Sequence, residues 1–112
     1  MAGGGRAGRR NIWRSFCIAA VNWKCRFGEL DLVVENGVFL CFVEVKLRKN
    51  ADYGSAAEFV DWRKQEKLRA AAEIYLLRHP TQLQPRFDVI EIYAPQGSDT
   101  EKPEISHLEN AF

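Results

Sequence analysis

Asp31, Glu44 and Lys46 are the residues of this 112-residue chain whose types and spacing could do chemistry. They fall in two runs, 26–34 and 38–47, that read as strands joined through Asn36-Gly37. Asn-Gly is a strong two-residue hairpin signal, because a type I′ turn needs positive φ at both central residues. With Glu35 and Val38 closing such a turn, Glu29 faces Glu44 and Asp31 faces Phe42. Asp31 and Glu44 are then diagonal neighbours, roughly 7–8 Å apart at the backbone. Strand side chains alternate, so Lys46 shares their face. On this reading one face carries Glu29, Asp31, Glu44 and Lys46. The other carries Leu30, Leu32, Val34, Phe39, Cys41, Val43 and Val45. Charges rarely sit in the middle of so apolar a hairpin without a task. Two carboxylates at that separation can share one hard cation. With an ammonium beside them they are the equipment of a metal-dependent phosphodiesterase.

Several elements must position these residues. Phe16 to Trp23 is β-compatible and reads as the first strand. Arg48 to Gly54 is a polar loop. Ser55-Ala56-Ala57-Glu58 has the form of a capping box and is expected to open a helix that runs to about His79, where Pro80 stops it. Leu68, Ala72, Tyr75 and Leu76 share one face of that helix at 3.6-residue spacing. Extended backward, the same stripe passes through Gln65 and Asp61. A buried face with a polar start is what a helix shows when its first turns abut a polar site; first turns that project into water give the same pattern. Arg63, Lys64, Lys67 and Arg69 make that half basic, either as a solvated face or as phosphate contacts. Thr81 to Pro85 reads as a linker, Arg86 to Tyr93 as a further strand, and Ile105 to Phe112 as a short terminal strand or turn.

The composition bounds the answer. At 112 residues and 46% apolar content this is one small domain with a single core. No apolar run approaches the ~20 residues of a membrane span, and Arg14 interrupts the one apolar patch near the N-terminus, so neither a membrane partner nor a signal peptide is expected. Three cysteines without metal-type spacing point to reduced thiols in the cytoplasm rather than to a zinc site. Cys41 is expected in the core. The net charge of +1 hides an asymmetry: residues 1–26 hold six basic residues and no acid, and the remainder holds ten basic and fifteen acidic residues. A basic segment beside an acidic site suits a phosphate-backbone partner and a metal cluster. Residues 1–10 read as a disordered basic arm ahead of a folded unit over 11–112. His79 and His107 read as surface or satisfied histidines. Trp13, Trp23 and Trp62 read as packing residues, Trp62 being the best placed to stack on a base.

Asp31, a gap of twelve residues, then Glu44-Val45-Lys46 resembles the PD-(D/E)xK nuclease signature. Asn22, Gly28-Glu29-Leu30-Asp31-Leu32, Phe42-Val43-Glu44-Val45-Lys46 with Arg48, Gly54, Lys64-Gln65, Arg86-Phe87-Asp88-Val89 and Asn110-Ala111-Phe112 together resemble the bacterial YraN-like family, over about residues 15–112. These are uncharacterised proteins grouped with endonucleases and related to archaeal Holliday-junction resolvases. The resemblance implies an α/β, restriction-endonuclease-like fold, a mixed sheet flanked by helices. It implies Asp31 and Glu44 as ligands of Mg²⁺ (or Mn²⁺), with the Val45 carbonyl nearby. Lys46 would activate the attacking water, and Gln65 would support the site from the helix. DNA, branched or structured, would be the substrate. A homodimer is implied by analogy with resolvases that cut a four-way junction symmetrically. Arg48, Arg63, Lys64 and Lys67 are the expected nucleic-acid contacts.

One segment departs from the family pattern. The family begins with a helix carrying a Gly-x-x-Gly-Glu-like segment whose glutamate reaches toward the metal, and residues 1–14 here contain no acid. That helix is expected to be missing or atypical, with Glu29 the candidate replacement carboxylate. On the residues alone two other readings stay open. One is a nucleic-acid-binding module with a decayed nuclease site. The other is an interaction domain whose acids keep a sheet edge soluble.

Overall fold

The two strands read around Asn36-Gly37 form the centre of a five-stranded sheet in a computed structural model, which describes residues 16–48 and 60–112. The strands are β1 (Cys17–Cys25), β2 (Gly28–Glu35), β3 (Phe39–Arg48), β4 (Gln84–Tyr93) and β5 (Glu104–Leu108). They lie in the order β1-β2-β3-β4-β5. All neighbours are antiparallel except β3 and β4, which run parallel. A parallel pair needs a crossover, and α1 (Trp62–Arg78) lies in it. This is an α/β fold with a mixed sheet, in keeping with a restriction-endonuclease-like architecture. Residues 1–15, with the basic arm, Trp13 and any helix ahead of β1, lie outside the described residues. So does the capping box at Ser55.

The helix begins later than its sequence pattern predicts. Asp61 is the N-cap; its side chain accepts the Lys64 N–H at 2.9 Å. An aspartate in that position satisfies one of the four free N–H groups of a first turn, so helix α1 starts at Trp62 rather than near Ser55. It ends as expected. The His79 N–H donates to the Tyr75 carbonyl at 2.8 Å, its ring stacks on Tyr75 at 4.3 Å, and Pro80 follows.

The predicted stripe is the buried one. Leu68, Ala71, Ala72 and Tyr75 pack on Leu30, Val33, Leu40, Phe42 and Val89 of the sheet. Tyr75 meets Trp23 and Phe42 edge-on at 5.3 and 5.8 Å. The opposite sheet face gathers Val34, Cys41, Val43 and Ile90, with Phe16, Leu32, Phe39 and Ile92 against them. Cys41 is in the core as expected. Burial, and then the charge of Asp88, push its thiol up to about 11, so it stays protonated and unreactive.

Asp88 fixes the end of the chain. Its buried carboxylate accepts from Arg86 Nε and Nη2, both at 2.9 Å, and from the Asn110 N–H at 3.0 Å; His107 Nε2 lies 2.7 Å away. Asn110 reaches it from a left-handed backbone, φ 54°. The Ala111 N–H then donates to the Phe87 carbonyl at 2.7 Å, and Phe112 stacks on Phe87 at 5.1 Å. The tail therefore grips both faces of β4. Burial raises the Asp88 carboxyl, but the hydrogen bonds from Arg86, Asn110 and His107 outweigh it and hold the group below the usual carboxylate range.

Asp88→Ala removes the buried carboxylate that Arg86 and His107 both engage and is expected to cost about 3–5 kcal/mol in a urea melt. A depressed carboxyl stabilises the fold fully above its unfolded pKa of about 4 and loses that contribution as pH falls through the lower folded value. Acid melts of wild type should show this loss below about pH 4, and Asp88→Asn should flatten it. A wild-type stability curve indistinguishable from that of Asp88→Asn down to pH 2 would rule the anchor out.

Candidate active site

Strands β2 and β3 part company at Asp31. Their backbone pairing runs only from Glu35–Leu40 to Leu32–Val43. Beyond that point β2 stays with β1 as far as Gly28, and β3 stays with β4 as far as Arg48. The Asp31 side chain enters the fork. Its Oδ2 accepts the Val45 N–H at 3.0 Å, taking the place of a backbone acceptor.

The register differs from the expected one by two residues. Glu35 pairs with Leu40, not with Val38. The reason is Asn36: its Oδ1 accepts from the Val38 and Phe39 N–H groups at 2.9 and 2.8 Å, and only Gly37 of the turn has positive φ, 94°. An Asx turn has replaced the type I′ turn. A shift of two residues keeps every side chain of β3 on its expected face, so Glu44 and Lys46 hold their places. Continued one step past Leu32–Val43, the observed register brings Asp31 level with Glu44 rather than with Phe42.

Strict alternation fails in β2. Leu30 and Val33, three residues apart, both join the core beneath the helix, so Leu30 does not share a face with Leu32 as the pattern predicts. Strand β1 does the same: Ala20, Trp23 and Cys25 all pack toward that core. The break falls at Asn22, which has φ 52°. The β1–β2 register passes from Val21–Leu32 to Trp23–Leu30 and skips the pair that would join Asn22 to Asp31. A left-handed residue in a strand reverses its pleat locally. Asn22 thus stands opposite Asp31 at the step where the β1–β2 ladder lacks a pair; the ladder's one register shift lies earlier, between Ile18 and Ala20. From the sequence Asn22 stood out only as one residue of the family resemblance, with no structural role assigned to it. The available signal was an asparagine, the non-glycine residue that best tolerates this conformation, inside a β-compatible run.

Glu44 is 5% exposed, one of two buried charged residues among those described. Its Oε2 lies 3.5 Å from Lys64 Nζ and 3.6 Å from Lys46 Nζ. Its Oε1 is buried with no hydrogen-bond partner. Burial, and next the charge of Asp31, raise the Glu44 carboxyl; the two lysines offset part of that rise. Asp31, Glu44, Lys46 and Lys64 are thus one cluster, beneath the first turn of α1.

The other sequence-predicted residues lie around it. The Gln65 amide donates to the Val60 carbonyl at 2.8 Å and so fastens the start of the helix. Arg48 is paired with Glu91, and both side chains are largely buried. Arg63 lies over the exposed Trp62 ring at 5.3 Å, and Lys67 is exposed one turn further on. Glu29 sits opposite Lys24 in the β1–β2 ladder, past the end of the β2–β3 pairing. Residue 45 contributes its N–H to Asp31, as above.

Residues 12–92 match the uncharacterised protein family UPF0102. The chain belongs to this family. It is 45% identical over 89 residues to the UPF0102 protein of Acetivibrio thermocellus, covering 78% of this chain and 68% of that one. It is 39% identical over 101 residues to a UPF0102 protein of Caldanaerobacter subterraneus, covering 88% and 81%. A third UPF0102 protein, from Frankia casuarinae, is 45% identical over 92 residues, covering 81% and 75%. The matched stretch contains the whole Asp31–Glu44–Lys46–Lys64 cluster.

The donor set fits a hard divalent cation. Two carboxylates offer oxygens only, one of them buried and unpartnered, and a buried unpaired carboxylate oxygen is expensive unless a cation reaches it. Among the described residues no group of three or more His, Cys, Asp or Glu side chains converges. That set suits Mg²⁺, which is commonly held by one or two carboxylates and keeps several waters.

Asn22→Gly retains access to the left-handed conformation, whereas Asn22→Val does not. Urea melts should show the valine variant less stable than the glycine variant by about 1–2 kcal/mol. Hydrogen exchange should show the Val45 amide losing protection in Asn22→Val and in Asp31→Ala, but not in Asn22→Gly. Equal stability and equal Val45 protection in all three would show that the pleat reversal does not place Asp31.

Proposed function

We propose that the chain is a Mg²⁺- (or Mn²⁺-) dependent endonuclease that hydrolyses phosphodiester bonds of DNA, with branched or structured DNA as its substrate. The observation that carries this reading is Glu44: a buried carboxylate with one unpartnered oxygen, a second carboxylate beside it and two ammonium groups on its other oxygen. Structural ion pairs satisfy their oxygens; perturbed, half-satisfied charge clusters are where chemistry is done.

Asp31 and Glu44 would hold the cation, with the Val45 carbonyl at the same strand position. A Mg²⁺ ion held there would supply Lewis-acid polarisation of the phosphoryl group and a more acidic attacking water. Lys46, two residues along β3 from Glu44, orients the attacking water and stabilises the charge that develops on the phosphorus centre. The Val45 N–H holds Asp31 in place, and Gln65 secures the helix start through Val60. Arg63 and Lys67 on the exposed side of α1 supply sequence-independent phosphate contacts. No helix among the described residues is long and apolar enough to cross a membrane. A cytoplasmic location and a homodimer, which would cut the two strands of a four-way junction symmetrically, complete the reading.

Lys46→Ala is expected to abolish cleavage while binding DNA almost normally, since one lysine among many adds little to phosphate affinity. Asp31→Ala should lose cleavage and tight metal binding together. The measurement is digestion of a labelled duplex and a four-way junction with Mg²⁺ or Mn²⁺, beside a gel shift in Ca²⁺. A wild-type protein that shifts DNA but cuts nothing under either metal would make this a nucleic-acid-binding module with a decayed site. A Lys46→Ala protein that cuts as fast as wild type would remove Lys46 from the mechanism.

A further inference from the structure

We propose that Lys64 is a built-in cation that balances the Asp31–Glu44 pair when no divalent ion is bound and passes to the DNA phosphate when one is. The inference rests on the metal reading of this site and adds a coupling between metal and DNA binding through one side chain. Three observations meet at Lys64. Its Nζ lies 3.5 Å from Glu44 Oε2, the same oxygen that Lys46 approaches. It occupies the first turn of α1, where Arg63 is its neighbour and no acidic residue is present. Cations at a helix N-terminus oppose the positive end of the helix dipole; the Asp61 cap carboxylate accepts the Lys64 N–H there, and the Lys64 ammonium faces the Glu44 carboxylate. Its side chain is 44% exposed, against 29% for Lys46 and 6% for Glu44.

These facts separate the two lysines. Lys46 stands on β3 two residues from Glu44, and strand geometry keeps it there. Lys64 comes from a different element on a flexible four-carbon stem, with an open path to solvent. A divalent ion held by Asp31 and Glu44 takes over the charge balance and repels an ammonium at this distance. Of the two, Lys64 is the one free to leave. It departs toward the side from which an anionic ligand must approach, and the phosphate backbone offers it a replacement partner. Metal binding without DNA thus works against Lys64, and DNA binding with metal present gains it.

The test compares Lys64→Gln, Lys64→Arg, Lys67→Gln and Asp31→Ala. Mn²⁺ binding is titrated by calorimetry without DNA, and DNA binding is measured by gel shift in Ca²⁺. Lys64→Gln should bind Mn²⁺ roughly three- to tenfold more tightly than wild type and DNA less tightly, with a salt slope smaller by about one. Lys64→Arg should keep the wild-type Mn²⁺ affinity. Lys67→Gln, with the same change in net charge one turn away, should leave Mn²⁺ binding unaltered. Asp31→Ala should abolish it. If wild type binds Mn²⁺ through Asp31 and Lys64→Gln binds it no more tightly, Lys64 is not the competing cation and the inference falls alone. If Lys64→Gln tightens Mn²⁺ binding but shifts DNA as well as wild type, the transfer to phosphate is wrong. If wild type shows no Asp31-dependent Mn²⁺ binding, the metal reading falls and takes this one with it.

Discussion

Two like charges held side by side set the terms for the rest of this molecule. Burial and then the charge of Asp31 raise the Glu44 carboxyl. Such a pair persists only where the surrounding structure over-determines it. The fork between β2 and β3 does so from one side, because the Val45 N–H, left without a backbone partner in β2, fixes the Asp31 carboxylate. The crossover helix does so from the other, because the parallel β3–β4 pair obliges the chain to return over the sheet, and that return brings Lys64 to Glu44.

The fork is made by local backbone chemistry rather than by the absence of a neighbour. Asn22 in β1 reverses the pleat opposite Asp31, and β2 follows, so that Leu30 still reaches the core under α1. The hydrophobic pattern is thus kept on both sides of the site while the one polar residue between them is turned out of register. Asn36 acts similarly at the far end of the hairpin, trading a two-residue turn for an Asx turn and moving the register by two. Each asparagine exchanges regularity for the position of one side chain.

Much of this was legible in the sequence, for reasons that also explain what was not. Side-chain parity depends only on odd and even spacing, so Glu44 and Lys46 fell on the correct face even though the turn was misassigned. The helix stripe through Leu68, Ala72 and Tyr75 depends on 3.6-residue spacing and survived in the same way. The start of α1 did not, because Ser55-x-x-Glu58 and Asp61 are both acceptable caps and local preference cannot choose between them. Nor did the partners of Arg48 and Lys64. Glu91 and Glu44 meet them only through the parallel β3–β4 pairing and the crossover, contacts between residues far apart in the chain. The reversal at Asn22 falls outside alternation arguments, which assume one pleat from end to end; its one signal was the asparagine itself.

Glu44 and Asp88 lie on adjacent strands and opposite faces of the sheet, and comparing them separates structure from site. In the parallel register Glu44 stands beside Val89 and Asp88 beside Val43, so the two carboxylates are one residue out of step. Both are nearly inaccessible. Asp88 has every oxygen engaged, by a bidentate arginine, a histidine and a backbone N–H, and its carboxyl is held below the usual range. Its burial is compensated within the chain, which is how a buried charge anchors a fold. Glu44 keeps one oxygen unengaged, and its carboxyl is raised. The chain has enough polar groups to satisfy a buried carboxylate and does so for Asp88. Leaving Glu44 half-satisfied beside a second carboxylate is therefore a property of this site and not of the fold, and it is the feature on which the proposed cation site rests.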